Sequence, residues 1–265
     1  MIHLRTSSEM DTIAEAGSII GRLHAELDAV VRPGVSTADV DRFAEEFIVS
    51  HEGAVPAFKG LYGFPGSVCI SLNEEVVHGI PSRDRVLDEG DIVTVDIGVK
   101  LDGWYTDSAR TFAVGEVSER AQALLDVTER ALAASIEAAV PGNHVGDIGA
   151  AVMRVVDEGG EWGIIRELVG HGVGRELHEE PQVPNIGRAG HGPLLRAGMV
   201  LAIEPMLSAG TPRIRTLEDG WTVVTADRSL SAHFEHTVGI TPEGPRILTA
   251  AELPAPAATP APKGA

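Results

Sequence analysis

IVTVDIGVKLDGWYTDSARTFA, residues 92–113, is the stretch whose reading decides the fold. Its first part, IVTVDIGV, alternates and is rich in β-branched residues. LDG supplies turn chemistry, and WYTDSARTF follows as a second strand, so the segment predicts a β-hairpin. Two registers are open. A turn centred on Leu101-Asp102 sets Asp96 directly opposite Asp107, and a two-residue Asp102-Gly103 turn pairs Asp107 with Gly98 instead. Both leave the two carboxylates close together on one face of the sheet. Val93, Val95, Ile97 and Val99 surround them, so the face is expected to be partly buried. Like charges so placed are destabilising unless something positive lies between them. The bland alternative has one Asp solvated on its strand and the other capping the turn, and the hairpin alone leaves both readings open.

Helical periodicity flanks the hairpin. Residues 7–31 carry Met10, Ile13, Gly17, Ile20, Leu27 and Val31 at three- to four-residue steps, with Ser7 or Ser8 as cap and Pro33-Gly34 as terminator. A second helix starts near Ser36 or Thr37 and carries Val40, Phe43, Ala44 and Phe47. Residues 53–66 read as a Gly/Pro-punctuated loop, followed by a strand-like run at 67–71. Residues 118–140 are strongly helical. Pro141-Gly142 interrupts them, a further helix runs to about Val156, and 198–203 reads as a strand. A faint internal echo accompanies this order: Arg32-Pro33-Gly34 resembles Val140-Pro141-Gly142, and His78-Gly-Ile-Pro81 resembles His178-Glu-Glu-Pro181. Paired helices alternating with hairpins indicate an α+β layered fold with antiparallel sheet rather than βαβ units.

Composition narrows the class. Hydrophobic residues are 43% of the 265 and charged residues 23%, as in a globular protein with a real core. No run approaches the ~20 apolar residues of a membrane span, and the first residues lack a secretory signal, so a cytoplasmic location and no membrane partner are expected. The one cysteine, Cys69, excludes an intramolecular disulfide and a Cys-based zinc site, so any metal must be held by His and carboxylates. A net charge of −18 disfavours general nucleic-acid binding.

Further candidates lie beyond the hairpin. His171 sits between glycines in GHGVG (170–174), where backbone can approach a ligand closely, and His178 follows seven residues later. Glu204 ends the apolar run Met199–Ile203, and Pro205 stops the strand; a carboxylate at the tip of a buried strand needs a partner. Glu235 lies in HFEHTV among aromatic and β-branched neighbours. Each acid alone has a bland reading as a strand-end residue. Together, two Asp, two Glu and one His form an oxygen-rich set suited to Mn, Fe, Co or Zn. Bridging carboxylates of this kind commonly hold two metals ~3.5–4 Å apart.

Several motifs carry a family resemblance: NEEVVHGIP (73–81), VDIGV (95–99), WYTDSART (104–111), GHGVGRELHEEP (170–181), IEP (203–205) and HFEHT (233–237). In order and spacing they closely resemble type I methionine aminopeptidases over about residues 3–249. The resemblance implies the "pita-bread" fold, two pseudo-symmetric halves around a central antiparallel sheet with helices on the outer face. It implies one catalytic domain over 1–252, and the Pro/Ala-rich 253–265 is expected to be a disordered tail. It also implies removal of the initiator methionine from nascent chains when the second residue is small. Carried over by position, Asp96, Asp107, His171, Glu204 and Glu235 match the metal ligands, with Asp107 and Glu235 bridging. His78 and His178 match substrate-contacting histidines, His178 at the scissile carbonyl or oxyanion and His78 at the leaving side. Glu204 would also act as general base. Phe64, Cys69, Leu61, Leu177 and Trp221 match the side-chain pocket, and Ser231 matches a residue near a monovalent-cation site. A monomer with transient ribosome association is expected.

Glu204 and Glu235 are 31 positions apart. Type II relatives carry a long helical insertion there, and no Cys-rich N-terminal zinc module is present, so the chain resembles the short bacterial form. Leu61 and Leu177 depart from the aromatics common in relatives, and His233 stands where many carry another polar residue. The pocket stays apolar and suits a flexible thioether, while His233 is placed to donate to a ligand. Two alternatives fit the sequence less well. A prolidase or Xaa-Pro aminopeptidase usually has an extra N-terminal domain, and only residues 1–77 precede His78. A non-catalytic binding module on the same fold would have lost ligands, and here all five positions are intact.

Overall fold

The first helix, α1 (Ser7–Val30), begins at a capping box: the Thr6 hydroxyl accepts from the Glu9 amide, and the Glu9 carboxylate accepts from the Thr6 amide at 2.8 Å. The cap is Thr6 rather than Ser7 or Ser8, because the acid that closes the box stands three residues after Thr6. Ser36, in extended backbone, caps α2 (Thr37–Val49) by accepting from the Asp39 amide. The structure, a computed structural model, describes residues 1–251; the expected tail lies outside them. After the helix pair come β1 (Val55–Pro56), β2 (Cys69–Leu72), β3 (Glu75–Val77), β4 (Ile92–Leu101) and β5 (Trp104–Ala113). The loop of 53–66 therefore contains a short strand, and the strand after it starts at Cys69 rather than at Ser67.

The second half repeats the plan with α3 (Glu119–Ala138), α4 (Val145–Gly159), β6 (Gly163–Ile164), β7 (Gly170–Gly172), β8 (Glu179–Val183), β9 (Val200–Ile203), β10 (Met206–Ser208), β11 (Ile214–Thr216), β12 (Val223–Thr225), β13 (Ser231–His233), β14 (His236–Thr241) and β15 (Gly244–Ile247). Every strand pairing is antiparallel. β4 takes β5 on one edge and both β2 and β1 on the other, and the second half holds the series β15-β14-β9-β7-β8. Each half has its own core: Ile20, Leu23, Leu27 and Ile48 pack on Val93, Val95 and Val99 in one, and Leu124, Ile148 and Val152 pack on Leu201, Ile203 and Val238 in the other. Burying one such side chain contributes about 1.5–3 kcal/mol.

The sequence echo is structural. Ser36 forms an isolated antiparallel bridge with Val86, and His144, 108 positions on, forms one with Leu194, also 108 positions on. The Pro-Gly turns match: Gly34 donates to the Leu87 carbonyl at 2.8 Å, and Gly142 to that of Leu195 at 3.1 Å. The segment after β15 crosses α1 so closely that a Cβ on Gly17 would lie 2.1 Å from the Leu248 carbonyl oxygen, and one on Gly21 2.4 Å from the Ala251 nitrogen. The glycine in the apolar stripe of α1 thus seats residues 248–249 on the first half. No helix among the described residues is long and apolar enough to cross a membrane.

Candidate metal centre

The hairpin uses its two-residue turn. Asp102 and Gly103 have φ of 51° and 77°, so Asp107 pairs with Gly98 and Asp96 with Ala109. The two carboxylates are diagonal neighbours on one face, as both registers required. The two halves meet along this strand. The Glu235 amide donates to the Ala109 carbonyl at 2.8 Å. The Thr237 hydroxyl donates to the Asp107 carbonyl at 2.8 Å and accepts from the Asp107 amide at 3.1 Å. These bonds bring Glu235 to the Asp107 side of the sheet. In the second half, β7 pairs with β9 so that His171 stands opposite Ala202, and Glu204 follows the end of β9 at Ile203.

The donors converge. One ligand atom each from Asp107, His171 and Glu235 lie within 4.8 Å of one another. His171 Nδ1 is 2.8 Å from the Gly172 carbonyl, which can only accept, so Nδ1 donates there and Nε2 faces inward, where a metal ion would displace its proton. Nε2 lies 3.5 Å from Asp107 Oδ2 and 3.7 Å from Glu204 Oε1. Those separations are long for hydrogen bonds, and they suit ligand atoms each about 2.0–2.2 Å from a shared ion. Asp96 Oδ1 is buried without a hydrogen-bond partner.

Electrostatics points the same way. Burial, reinforced by Asp107, raises the Asp96 carboxyl well above the usual range. Burial, then Asp107, Glu204 and Asp96, does the same for Glu235. Burial raises Glu204 to about 8, although His171 opposes it. Burial pulls His171 down, but the Asp107 and Glu204 carboxylates outweigh it and hold its pKa at about 9. Packed acids of this kind accept full ionisation only beside compensating positive charge. The residues present therefore fit divalent metal ions: an orphaned carboxylate oxygen, a converging oxygen-rich donor set and one correctly oriented imidazole.

A cavity of about 290 Å³ opens beside these donors. It is lined by all five, by His78 and His178, and by Leu61, Phe64, Cys69, Leu177 and Trp221; of the expected positions, Ser231 alone does not reach it. Phe64 meets Trp221 edge-on at 5.2 Å, and the His178 ring lies 4.5 Å from that of His171. His78 has φ of 60°, and the turn carrying it is clasped by Arg85, which donates to the Ile80 carbonyl at 2.8 Å and pairs with Glu75. His233 is 2% exposed, burial holds its pKa down at about 3, and its Nε2 lies 3.7 Å from Glu204 Oε2. Ser231 is buried, its hydroxyl donating to the Leu207 carbonyl at 3.0 Å.

Sequence reasoning missed Phe58, Val77, Leu168 and Met206 in the cavity wall. Met206 alone carried a signal, standing directly after the Glu204-Pro205 break. Thr237 lies in the HFEHT motif, and its grip on Asp107 shows only in three dimensions.

Comparison with known proteins agrees with this geometry. The model of metallopeptidase family M24 matches residues 11–242. The chain is 52% identical over 249 residues to the methionine aminopeptidase of Clostridium perfringens, covering 94% of this chain and 99% of that one. The crystal structure of a methionine aminopeptidase from Thermotoga maritima superimposes with a TM-score of 0.92 at 46% identity, over 94% of this chain and all of the other. A prolidase from Pyrococcus furiosus shares the fold, with a TM-score of 0.73 and 24% identity, and only 66% of its length is covered.

Proposed function

The chain belongs to metallopeptidase family M24, within its bacterial type I methionine aminopeptidases, and from that premise we infer how its site removes an N-terminal methionine. Asp96, Asp107, His171, Glu204 and Glu235 would hold two divalent ions, with Asp107 and Glu235 shared between them. Bound there, the ions would lower the pKa of a water and polarise the scissile carbonyl. Co, Mn, Fe and Zn all suit the donor set.

The remaining work belongs to the chain's own groups. Phe64, Cys69, Leu61, Leu177 and Trp221 enclose the methionine side chain, and the flexible thioether adapts to their uneven wall. Glu204 takes the proton from the attacking water, its carboxylate standing at the edge of the donor set beside the cavity. His178 donates to the scissile carbonyl oxygen and to the negative charge that develops on it. His78, in the cavity wall with its ring 6.5 Å from that of Trp221, orients the peptide at the leaving side. The substrates are nascent chains with a small second residue, met in the cytoplasm by a monomer in transient contact with the ribosome.

The observation that carries this reading is the convergence of Asp107, His171 and Glu235 beside an apolar cavity with His178 at its rim. The test is a peptide assay with Met-Ala-, Met-Leu- and Ala-Pro-type substrates across Co, Mn, Fe and Zn. Cleavage of Met-Ala alone is expected, and comparable cleavage of Ala-Pro would overturn it.

A further inference from the structure

Outside the cavity, Arg5 is a firmly anchored charged group in the segment that precedes α1. Its guanidinium pairs with Glu179, the residue directly after His178, and both side chains are 9% exposed. Glu179 uses its other oxygen, Oε1, to accept from the Arg175 amide at 2.8 Å and the Glu176 amide at 3.2 Å. One carboxylate therefore closes residues 175–179 into a ring, and Arg5 locks that ring from a segment 174 positions away. The lock is itself anchored. The Arg5 amide donates to the Gly198 carbonyl at 2.6 Å. The guanidiniums of Arg5 and Arg175 both lie on the buried Trp104 ring, at 5.2 and 3.7 Å. Arg5 also comes so near Gly174 that a Cβ there would lie 2.3 Å from its Nη2.

We propose that Arg5 is a positioning residue for this reaction: through Glu179 it sets the loop that aims His178 at the scissile carbonyl. The proposal rests on the role given to His178 above. Its physical basis is that a nearly buried carboxylate stripped of its cation is left uncompensated and pulls toward water. The ring of 175–179 then opens, and His178 is carried with it. Misplacing a catalytic group by about 1 Å can cost up to ~10²-fold in rate. Lysine at this position keeps the charge but loses the planar fork and its stacking on Trp104.

The experiment is a double-mutant cycle on the metal-loaded, full-length enzyme. His178→Ala is expected to lower kcat by about 10²–10³-fold. Arg5→Ala should lower kcat by about tenfold, leave metal content unchanged and move KM less than about twofold, and Arg5→Lys should recover part of the loss. In the His178→Ala background, Arg5→Ala should cost nothing further, because the group it aims is gone. Equal losses in both backgrounds, or an Arg5→Ala kcat within twofold of the parent, overturns the proposal. An ordinary kcat in His178→Ala alone would instead sink the role of His178. Should Arg5→Ala fail to fold, Glu179→Gln is read in the same cycle against the same outcomes.

Discussion

Thr237 holds Asp107 by both of its backbone polar groups, its one hydroxyl donating to the carbonyl and accepting from the amide. The two residues come from different halves, so this hydroxyl fixes how far apart the halves' donors sit. Thr237→Val keeps the shape and removes both bonds. It should lower stability by about 2–4 kcal/mol, since two buried backbone groups lose their partner. Metal affinity should fall about 10–100-fold, because the carboxylate loses its anchorage. Urea unfolding and calorimetric titration with Mn(II) would check the two effects separately; unchanged affinity would limit Thr237 to a structural role.

Asp107→Ala should abolish metal binding and activity together, because the carboxylate proposed to serve both ions is removed from the cluster it forms with His171 and Glu235. Elemental analysis of the purified variant is the measurement. Full occupancy with two ions per chain would show that Asp107 does not bridge.

Trp221→Ala should act on substrate and spare the metal. The ring walls the cavity and packs edge-on against Phe64 at 5.2 Å. Losing it should raise KM for methionyl peptides about tenfold with a smaller change in kcat, since the wall binds ground state and transition state alike. A fall in kcat with constant KM would point to a role at the reacting atoms.

His24 gives a pH dependence of folding. It lies at 7% exposure behind the site, its Nε2 donates to the Ser108 carbonyl at 3.2 Å, and burial lowers its pKa from 6.5 to about 3. Between pH 6.5 and pH 3 the unfolded chain binds a proton here that the folded chain refuses. The stability is therefore complete above pH 6.5, declines as the pH falls, and stops declining below about pH 3. From pH 7 to pH 5 the loss from this one group is about 2 kcal/mol. In chelator, the parent should lose about that much more stability over this interval than His24→Leu does, measured by urea unfolding; parallel pH curves would contradict it.

The helices and the hairpin were legible because their signals are local. Glu9 closes its box on Thr6, apolar positions recur at helical spacing in α1 and α3, and Asp102-Gly103 demands positive φ. Even the register could be narrowed to two choices that left Asp96 and Asp107 on the same face. The donor set was legible because acids that end apolar strands are hard to explain singly and easy to explain together. The contacts that aim those donors were hidden. Thr237 reaches Asp107 across 130 positions and Arg5 reaches Glu179 across 174, and neither threonine nor arginine is unusual in its own neighbourhood. Phe58 and Leu168 escaped for a related reason: an apolar residue in a loop looks the same whether it faces a cavity or a core.

The halves divide the donors unequally. Asp96 and Asp107 stand on the first hairpin, His171 on β7 of the second half, Glu204 just after β9 and Glu235 between β13 and β14. A chain interrupted during synthesis anywhere before residue 235 has no complete centre, however well its first half has folded. Hydrolytic power therefore arrives only with the last strands, and an unfinished copy of this peptidase is harmless to the other new chains around it.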